Sequence, residues 1–220
     1  MSSSLVVCDQ ALSLDSNQLT FIYTKAFHGI GGLLSLKLHN NNISFLERGV
    51  FSELSQLKTL LLQNNKLPRI QRGTFDRLAS LMYIDLSRNR LTYDTLPRDG
   101  FFRRATKLRR IHLDDNQLTA IDSCIMAASM PPHATAARTL SLLGNPINCD
   151  CSLRWILRLR YIRNYGAAFT LMSFNAQKYK CMALLPKSRR FLVSQLDSCG
   201  FSIGSINRWS LSIHTCILDI

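Results

Sequence analysis

The amino-acid sequence predicts an α/β solenoid, in which short repeating units stack and their strands form one curved parallel sheet. Three observations lead to this prediction. A motif of leucines and one asparagine recurs through the first two-thirds of the chain. In each copy, apolar and polar residues alternate over a short stretch. A group of cysteines follows the last copy and predicts how the array ends.

The repeat has the form Leu-x-x-Leu-x-Leu-x-x-Asn-x-Leu, with isoleucine replacing leucine at some positions. Complete copies begin at residues 33, 57, 81 and 108, and shorter copies begin at Leu12 and Leu140. The successive asparagines are 24, 24, 24, 27 and 29 residues apart. They are Asn17, Asn41, Asn65, Asn89, Asn116 and Asn145. Six copies in register predict six stacked units.

Each part of the repeat has a predicted structural role. The Leu-x-Leu alternation has a period of two, which predicts a short strand with its leucines pointing inward. The asparagine amide can both donate and accept, so it can satisfy backbone groups in the turn after the strand. Phe27, Phe51 and Phe75 each lie ten residues after an asparagine, on the segment that returns over the sheet. We therefore expect these residues to be scaffold rather than binding residues.

These motifs resemble the leucine-rich repeat family over about residues 9–148. The resemblance implies a concave parallel sheet and an irregular or short helical convex face. Asn145-Pro146, Cys149, Cys151 and Trp155 resemble the start of the cysteine-flanked C-terminal cap of extracellular members. We expect an N-terminal remnant over 1–8, six repeats over 9–144, a cap over 145–199 and a tail over 200–220, for which disorder is one alternative.

The seven cysteines are an odd number, so at least one has no partner within the chain. The resemblance implies the disulfides Cys149–Cys181 and Cys151–Cys199, with a cap helix over 153–165. Metal binding is the alternative, although this spacing is not usual for zinc. The remaining cysteines are expected to be free, buried or mispaired: Cys8, Cys124 and Cys216.

Disulfides persist in oxidising compartments, so the predicted location is extracellular or on the cell surface. The sequon at Asn42 agrees with this location. The N-terminus shows no secretory signal and no cysteine-rich N-terminal cap, so we expect the chain to be a fragment. No membrane span is expected within it, although the full-length protein could be anchored elsewhere. The alternative is an intracellular leucine-rich repeat scaffold with reduced cysteines.

Known catalytic motifs are absent, so we expect a non-enzymatic protein with no cofactor and no metal. The repeats resemble those of Slit-like, peroxidasin-like and immunoglobulin-containing receptor proteins. The resemblance implies a protein ligand on the concave face, in adhesion, receptor or guidance-type signalling. The outward strand positions predicted to bind it are Lys37, His39, Leu61, Gln63, Tyr83, Asp85, Arg110, His112 and Asp114.

The net charge of +13 is concentrated in residues 98–110, which carry +5, and residues 149–199, which carry +7. Such regions favour polyanions, so the alternative function is binding of heparan sulfate, another sulfated glycan or extracellular matrix. Two solvated basic faces without a ligand are a further alternative. Nucleic acid is not expected, because few aromatic residues accompany the basic ones. The candidates are Arg103, Arg104, Lys107, Arg154, Arg158, Arg160, Arg163, Lys187, Arg189 and Arg190.

Overall fold

A computed structural model describes residues 10–97, 102, 105–120, 138–147 and 169–172 of the chain. Within these residues, a seven-stranded parallel sheet has the order β1-β3-β5-β6-β7-β8-β9, and a second sheet pairs β2 with β4. The strands are β1 Ala11–Ser13, β2 Phe21–Ile22, β3 Ser35–Lys37, β4 Phe45–Leu46, β5 Thr59–Leu61, β6 Tyr83–Asp85, β7 Arg110–His112, β8 Arg138–Ser141 and β9 Phe169–Met172. The predicted solenoid is confirmed.

Each strand of the large sheet pairs in register with the equivalent residues of the next repeat. The first outward positions form one column across six strands, as the repeat spacing predicts. That column is Ala11, Ser35, Thr59, Tyr83, Arg110 and Thr139. The inward leucines between these positions are buried in repeats 2 to 6, so the concave face and the core occupy opposite sides of the sheet.

A ladder of phenylalanines fills the core opposite the sheet. Phe27, Phe51, Phe75 and Phe102 are buried, and successive rings stack with centroids 5.9, 6.1 and 5.6 Å apart. Offset-stacked rings at these separations contribute about 0.5–1.5 kcal/mol per pair beyond their buried area. The ladder also continues past the three residue insertion in the fourth repeat, because Phe102 keeps its place in the stack.

The repeat asparagines form a second ladder, which joins each repeat to the one before it. Asn65 donates its amide to the carbonyl oxygens of Leu62 in its own repeat and Leu38 in the preceding repeat. Its amide oxygen accepts from the backbone N–H of Ile43 at 2.9 Å. The same arrangement repeats at Asn41, Asn89, Asn116 and Asn145. The predicted role is confirmed and extends across repeats.

The convex side consists of turns, the β2–β4 pair and one short 3-10 helix over Tyr93–Thr95. The turn before the phenylalanine needs a left-handed residue. Gly49 and Gly73 supply it, with φ of 77° and 82°. In the first repeat Lys25 occupies that position with φ of 72°, although a side chain is disfavoured there.

The first repeat is less well covered than those that follow. Leu12, Leu14 and Leu19 are partly buried, whereas the equivalent Leu36 and Leu38 are fully buried. The exposed aromatic residues Phe21 and Tyr23, 51% and 70% exposed, belong to the same repeat. Within the described residues, nothing packs on this side of the first repeat.

Beyond the sixth repeat, the large sheet gains β9, which pairs with β8 in parallel register and was not predicted from the sequence. The cap helix over 153–165 lies outside the described residues, as do the cysteines proposed to pair. The same holds for Cys8, Cys124 and Cys216. In the part of the chain that is described, no helix has the length and apolar character needed to cross a membrane.

Candidate ligand-binding face

The nine predicted ligand-binding residues all lie on the concave face, on the outward positions of β3, β5, β6 and β7 or just after them. Lys37 and Arg110 are exposed. The other seven are partly buried, which reflects contacts with residues of neighbouring repeats. They are His39, Leu61, Gln63, Tyr83, Asp85, His112 and Asp114.

Four of these residues, together with Ser141, form the C-terminal cluster. The Tyr83 hydroxyl donates to Asp85 Oδ2 at 3.2 Å. The Tyr83 ring meets the His112 ring edge-on, with centroids 5.4 Å apart. His112 Nδ1 lies 3.4 Å from Asp114 Oδ2. The cluster therefore spans three neighbouring strands and holds each side chain in one orientation.

Asp114 joins the fifth repeat to the sixth. Its Oδ1 accepts from the Ser141 hydroxyl at 2.5 Å and from the Leu143 backbone N–H at 2.7 Å. Its side chain is 17% exposed, so these bonds are shielded from solvent on most sides. Charge-assisted hydrogen bonds of this kind are roughly twice as strong as those between neutral groups.

The contacts in the C-terminal cluster shift three pKa values. Burial raises the pKa of Tyr83 to about 12, with a further contribution from the Asp85 carboxylate. The hydrogen bond to Asp114 raises the pKa of His112, against the opposing effect of burial. Burial alone would raise the pKa of Asp114, but the hydrogen bonds from His112, Ser141 and Leu143 outweigh it and lower that pKa. At neutral pH, Asp114 is therefore an anion and Tyr83 is a neutral phenol.

A smaller N-terminal cluster contains Ser13, Asp15 and His39. The Ser13 hydroxyl donates to Asp15 Oδ1 at 2.5 Å, and this hydrogen bond lowers the pKa of Asp15. His39 Nε2 lies 3.6 Å from Asp15 Oδ2, which is longer than a hydrogen bond. The sequence places His39 on the face correctly, but this cluster is less tightly bonded than the C-terminal one.

Just after β3 and β5, two buried polar atoms have no hydrogen-bond partner among the described residues. They are His39 Nδ1 and Gln63 Oε1. Such atoms are rare in folded proteins and are usually satisfied by water or by a bound group. Leu61 and Lys37 are neighbours in register beside them. The middle of the face therefore offers one cation, one aliphatic side chain and unsatisfied polar atoms.

Serine, aspartate and histidine occur in both clusters, but they do not form a nucleophilic triad. In such a triad the histidine takes the proton from the nucleophilic hydroxyl. Here the Ser141 and Ser13 hydroxyls donate to aspartates instead. Among the described residues, no group of three or more histidine, cysteine, aspartate or glutamate side chains could hold a metal ion.

Ser141 was missing from the predicted binding residues. Its hydroxyl is buried against Asp114, and its place in the outward column beside His112 is the signal that could have found it. The sequon residue Asn42 is partly buried. Its backbone N–H donates to Leu19 O, which holds this turn against the first repeat.

Of the predicted polyanion-binding residues, Lys107 is described and exposed. The others lie outside the described residues, so their placement stays a prediction. They are Arg103, Arg104, Arg154, Arg158, Arg160, Arg163, Lys187, Arg189 and Arg190.

Comparison with known proteins agrees with this geometry. The sequence model of the family described as leucine rich repeat matches residues 10–67 and 55–118. The solenoid is a leucine-rich repeat array. No curated protein matches the chain.

Several solved structures resemble this leucine-rich repeat array. The LRIM1/APL1C complex is 25% identical with a TM-score of 0.54, covering 63% of this chain and 24% of that chain. The TLR13–ssRNA13 complex is 19% identical with a TM-score of 0.57, covering 74% and 24%. The leucine-rich repeat domain of APL1B is 26% identical with a TM-score of 0.49, covering 61% and 36%. The chain thus spans about a quarter to a third of these structures.

Proposed function

We propose that this chain is a non-enzymatic recognition module that binds a protein ligand on the concave face of its leucine-rich repeats. The C-terminal cluster carries this proposal. Tyr83, Asp85, His112 and Asp114 are held by one another and by the neighbouring repeat before any ligand arrives. A preorganised surface loses less conformational entropy on binding than a mobile one.

The composition of the face also supports a protein ligand. Tyrosine and arginine are enriched at the centres of protein interfaces, and Tyr83 and Arg110 are neighbours in register. The LRIM1/APL1C structure is a complex of the two proteins it names. Adhesion, receptor or guidance-type signalling is the role that the resemblance to Slit-like, peroxidasin-like and immunoglobulin-containing receptors implies.

The binding experiment starts from a screen of the chain, displayed as a tetramer, against a library of purified extracellular domains. Each hit is measured again with Tyr83→Ala and with Arg69→Ala, an exposed residue on the convex side. We expect Tyr83→Ala to weaken binding by at least about tenfold, the range of an interface anchor. Arg69→Ala should leave it unchanged. Hits that respond only to the convex variant would contradict the concave-face proposal.

We further propose an extracellular or cell-surface location, on the basis of the Cys149–Cys181 and Cys151–Cys199 pairing that the cap resemblance implies. Counting free thiols on the native, non-reduced protein tests it. Two disulfides leave at most three reactive thiols of the seven cysteines. Detection of more than three would favour an intracellular scaffold with reduced cysteines.

A second candidate function is binding of a sulfated glycan. Lys107 is exposed in the described part of the first basic region, and Arg109 and Arg110 next to it are exposed as well. The cap residues 154–190 would provide the second basic region. Lys107 and Arg109 precede β7 and lie outside the concave columns. Arg110 belongs to the first concave column, so a protein ligand and a glycan would compete at that residue.

A further inference from the structure

Charge is distributed unevenly between the two edges of the large sheet. The strand-start edge consists of the residues that lead into β5, β6, β7 and β8 and the first residues of those strands: 55–59, 79–83, 105–110 and 138–139. It contains no aspartate or glutamate. The aspartates of the sheet lie at or after the strand ends, at Asp15, Asp85, Asp114 and Asp115.

Five basic residues lie on the strand-start edge: Lys58, Lys107, Arg109, Arg110 and Arg138. The first four are exposed. No carboxylate among the described residues lies within ion-pair distance of these four, whereas Arg88 on the opposite edge pairs with Asp115 at 3.5 Å. Unpaired cations of this kind remain available to an external anion.

Backbone hydrogen bonds fix the order of these residues along the solenoid. Met82 N–H donates to Lys58 O at 2.9 Å, and Arg109 N–H donates to Met82 O at 2.8 Å. Thr139 N–H then donates to Arg109 O at 2.7 Å, which places Arg138 next to Arg109 in the ladder. Two strand spacings of about 4.8 Å separate Lys58 from Arg109, so the track of described cations is roughly 10 Å long.

Arg109 and Arg138 are neighbours in the backbone ladder, whereas Lys58 lies two strands from Arg109. Like charges at neighbouring positions of a sheet are destabilising, and a bound anion would relieve the repulsion. Arginine binds sulfate with two parallel hydrogen bonds, so the composition of the track suits sulfate groups. The linear order of the basic residues matches a linear polymer better than a single small anion.

The residues around the strand-start edge favour a sulfated glycan over nucleic acid and over a lipid surface. Stacking of nucleic-acid bases needs exposed aromatic rings, but the aromatic residue within this edge, Tyr83, is held by Asp85 and His112. Insertion into a lipid surface needs exposed apolar side chains. The large hydrophobic residues exposed among the described residues, Phe21 and Tyr23, lie in the first repeat.

We propose that the strand-start edge binds a linear sulfated glycan, with Lys107, Arg109 and Arg110 as its main contacts and Lys58 extending the track. This inference rests on the second candidate function above. It is more specific than that function, because it assigns the site to the repeats without the cap. It adds Lys58, Arg109 and Arg110 to the predicted polyanion-binding residues.

Titration of the full chain with size-fractionated heparin at several salt concentrations tests the proposal. The variant K107E/R109E changes the site, and K66E/R90E is the matched control. Lys66 and Arg90 are exposed residues that follow repeat asparagines at the opposite edge. Each variant replaces one lysine and one arginine by glutamate, so both change the net charge equally. Thermal unfolding of each variant checks that the fold is unchanged.

We expect K107E/R109E to weaken heparin binding by at least about tenfold at low salt. We also expect it to lower the slope of log Kd against log salt by about 1.5, since each neutralised anion contributes slightly under one. K66E/R90E should retain most of the affinity. An equal loss in both variants would mean that only net charge matters, and it would overturn the proposal.

A third variant, R158E/R160E in the predicted cap, separates this inference from the function it rests on. If only the cap variant loses heparin, the glycan function stands and the strand-start site is wrong. If the unaltered chain does not bind heparin, both are wrong. If single-stranded DNA or phosphatidylserine vesicles bind as tightly and respond to K107E/R109E in the same way, the assignment to a sulfated glycan is overturned.

Discussion

The two ends of the concave face carry the same three residue types with different results. At the N-terminal end, Ser13 and Asp15 belong to one repeat, and His39 approaches from the next at 3.6 Å. At the C-terminal end, His112 and Asp114 share a repeat, and Ser141 reaches the aspartate from the following one. Only the second arrangement forms hydrogen bonds between repeats.

The two aspartates also differ in burial, because only Asp114 is hydrogen-bonded to the next repeat. The Asp114 side chain is 17% exposed and that of Asp15 is 29% exposed. Asp114 also accepts a backbone N–H of the sixth repeat, which has no counterpart at Asp15. Similar composition therefore does not predict similar stability, because the repeat that supplies each donor decides whether the contact joins two units.

The largest expected effect comes from removing the two aspartates in turn. Asp114→Ala leaves the Ser141 hydroxyl and the Leu143 N–H without their acceptor, which costs about 2–3 kcal/mol. Asp15→Ala should lower the midpoint of urea unfolding much less, because Ser13 remains exposed to water. Equal losses in urea unfolding would show that the two clusters are equivalent.

A backbone substitution probes the same two ends. Gly144 has φ of 69°, and a Cβ there would meet the Asp115 carboxylate. Gly144→Ala should therefore cost about 2 kcal/mol, from left-handed strain and the clash. Ser16 holds the equivalent position at the N-terminal end with φ of 57°. Ser16→Gly should gain about 0.5 kcal/mol in the same unfolding assay, and a loss there would contradict the strain argument.

Tyr83 has no counterpart in the N-terminal cluster, because the equivalent position of the first repeat is Ala11. Tyr83→Phe removes the hydrogen bond to Asp85 and should cost about 1 kcal/mol. The pKa of about 12 means that the Tyr83 phenol ionises later than an ordinary tyrosine. The ultraviolet difference titration between the two proteins measures it, and a midpoint near pH 10 would show that the ring is not held as described.

The smallest effect concerns pH. The pKa of His112 is raised above its ordinary value of 6.5 by the bond to Asp114. Its contribution to stability is therefore complete below pH 6.5 and is lost as the pH rises through the folded pKa. The stability difference between the unaltered protein and His112→Asn should be larger at pH 5.5 than at pH 8.5. An unchanged difference would contradict the His112–Asp114 contact.

The sequence predicts the scaffold well because the repeat encodes it locally. The columns containing Lys37, Tyr83 and His112 follow directly from the spacing of the leucines. The bonds around Asp114 do not, since they join groups up to 29 residues apart, including the Leu143 backbone N–H. The pattern also did not predict the left-handed conformation of Lys25. Later repeats have glycine at this position, as Gly49 and Gly73 show.

The asparagine ladder also determines the order in which the turns of the array can be completed during synthesis. Each turn is completed by an amide oxygen that lies further along the chain, at separations of 22 residues for Asn41 and Asn65 and 27 for Asn145. As the chain leaves the ribosome, every turn therefore waits for the next repeat before its backbone is satisfied. The nascent solenoid always carries one unfinished turn at its growing end, and lengthening the array moves that turn forward without removing it.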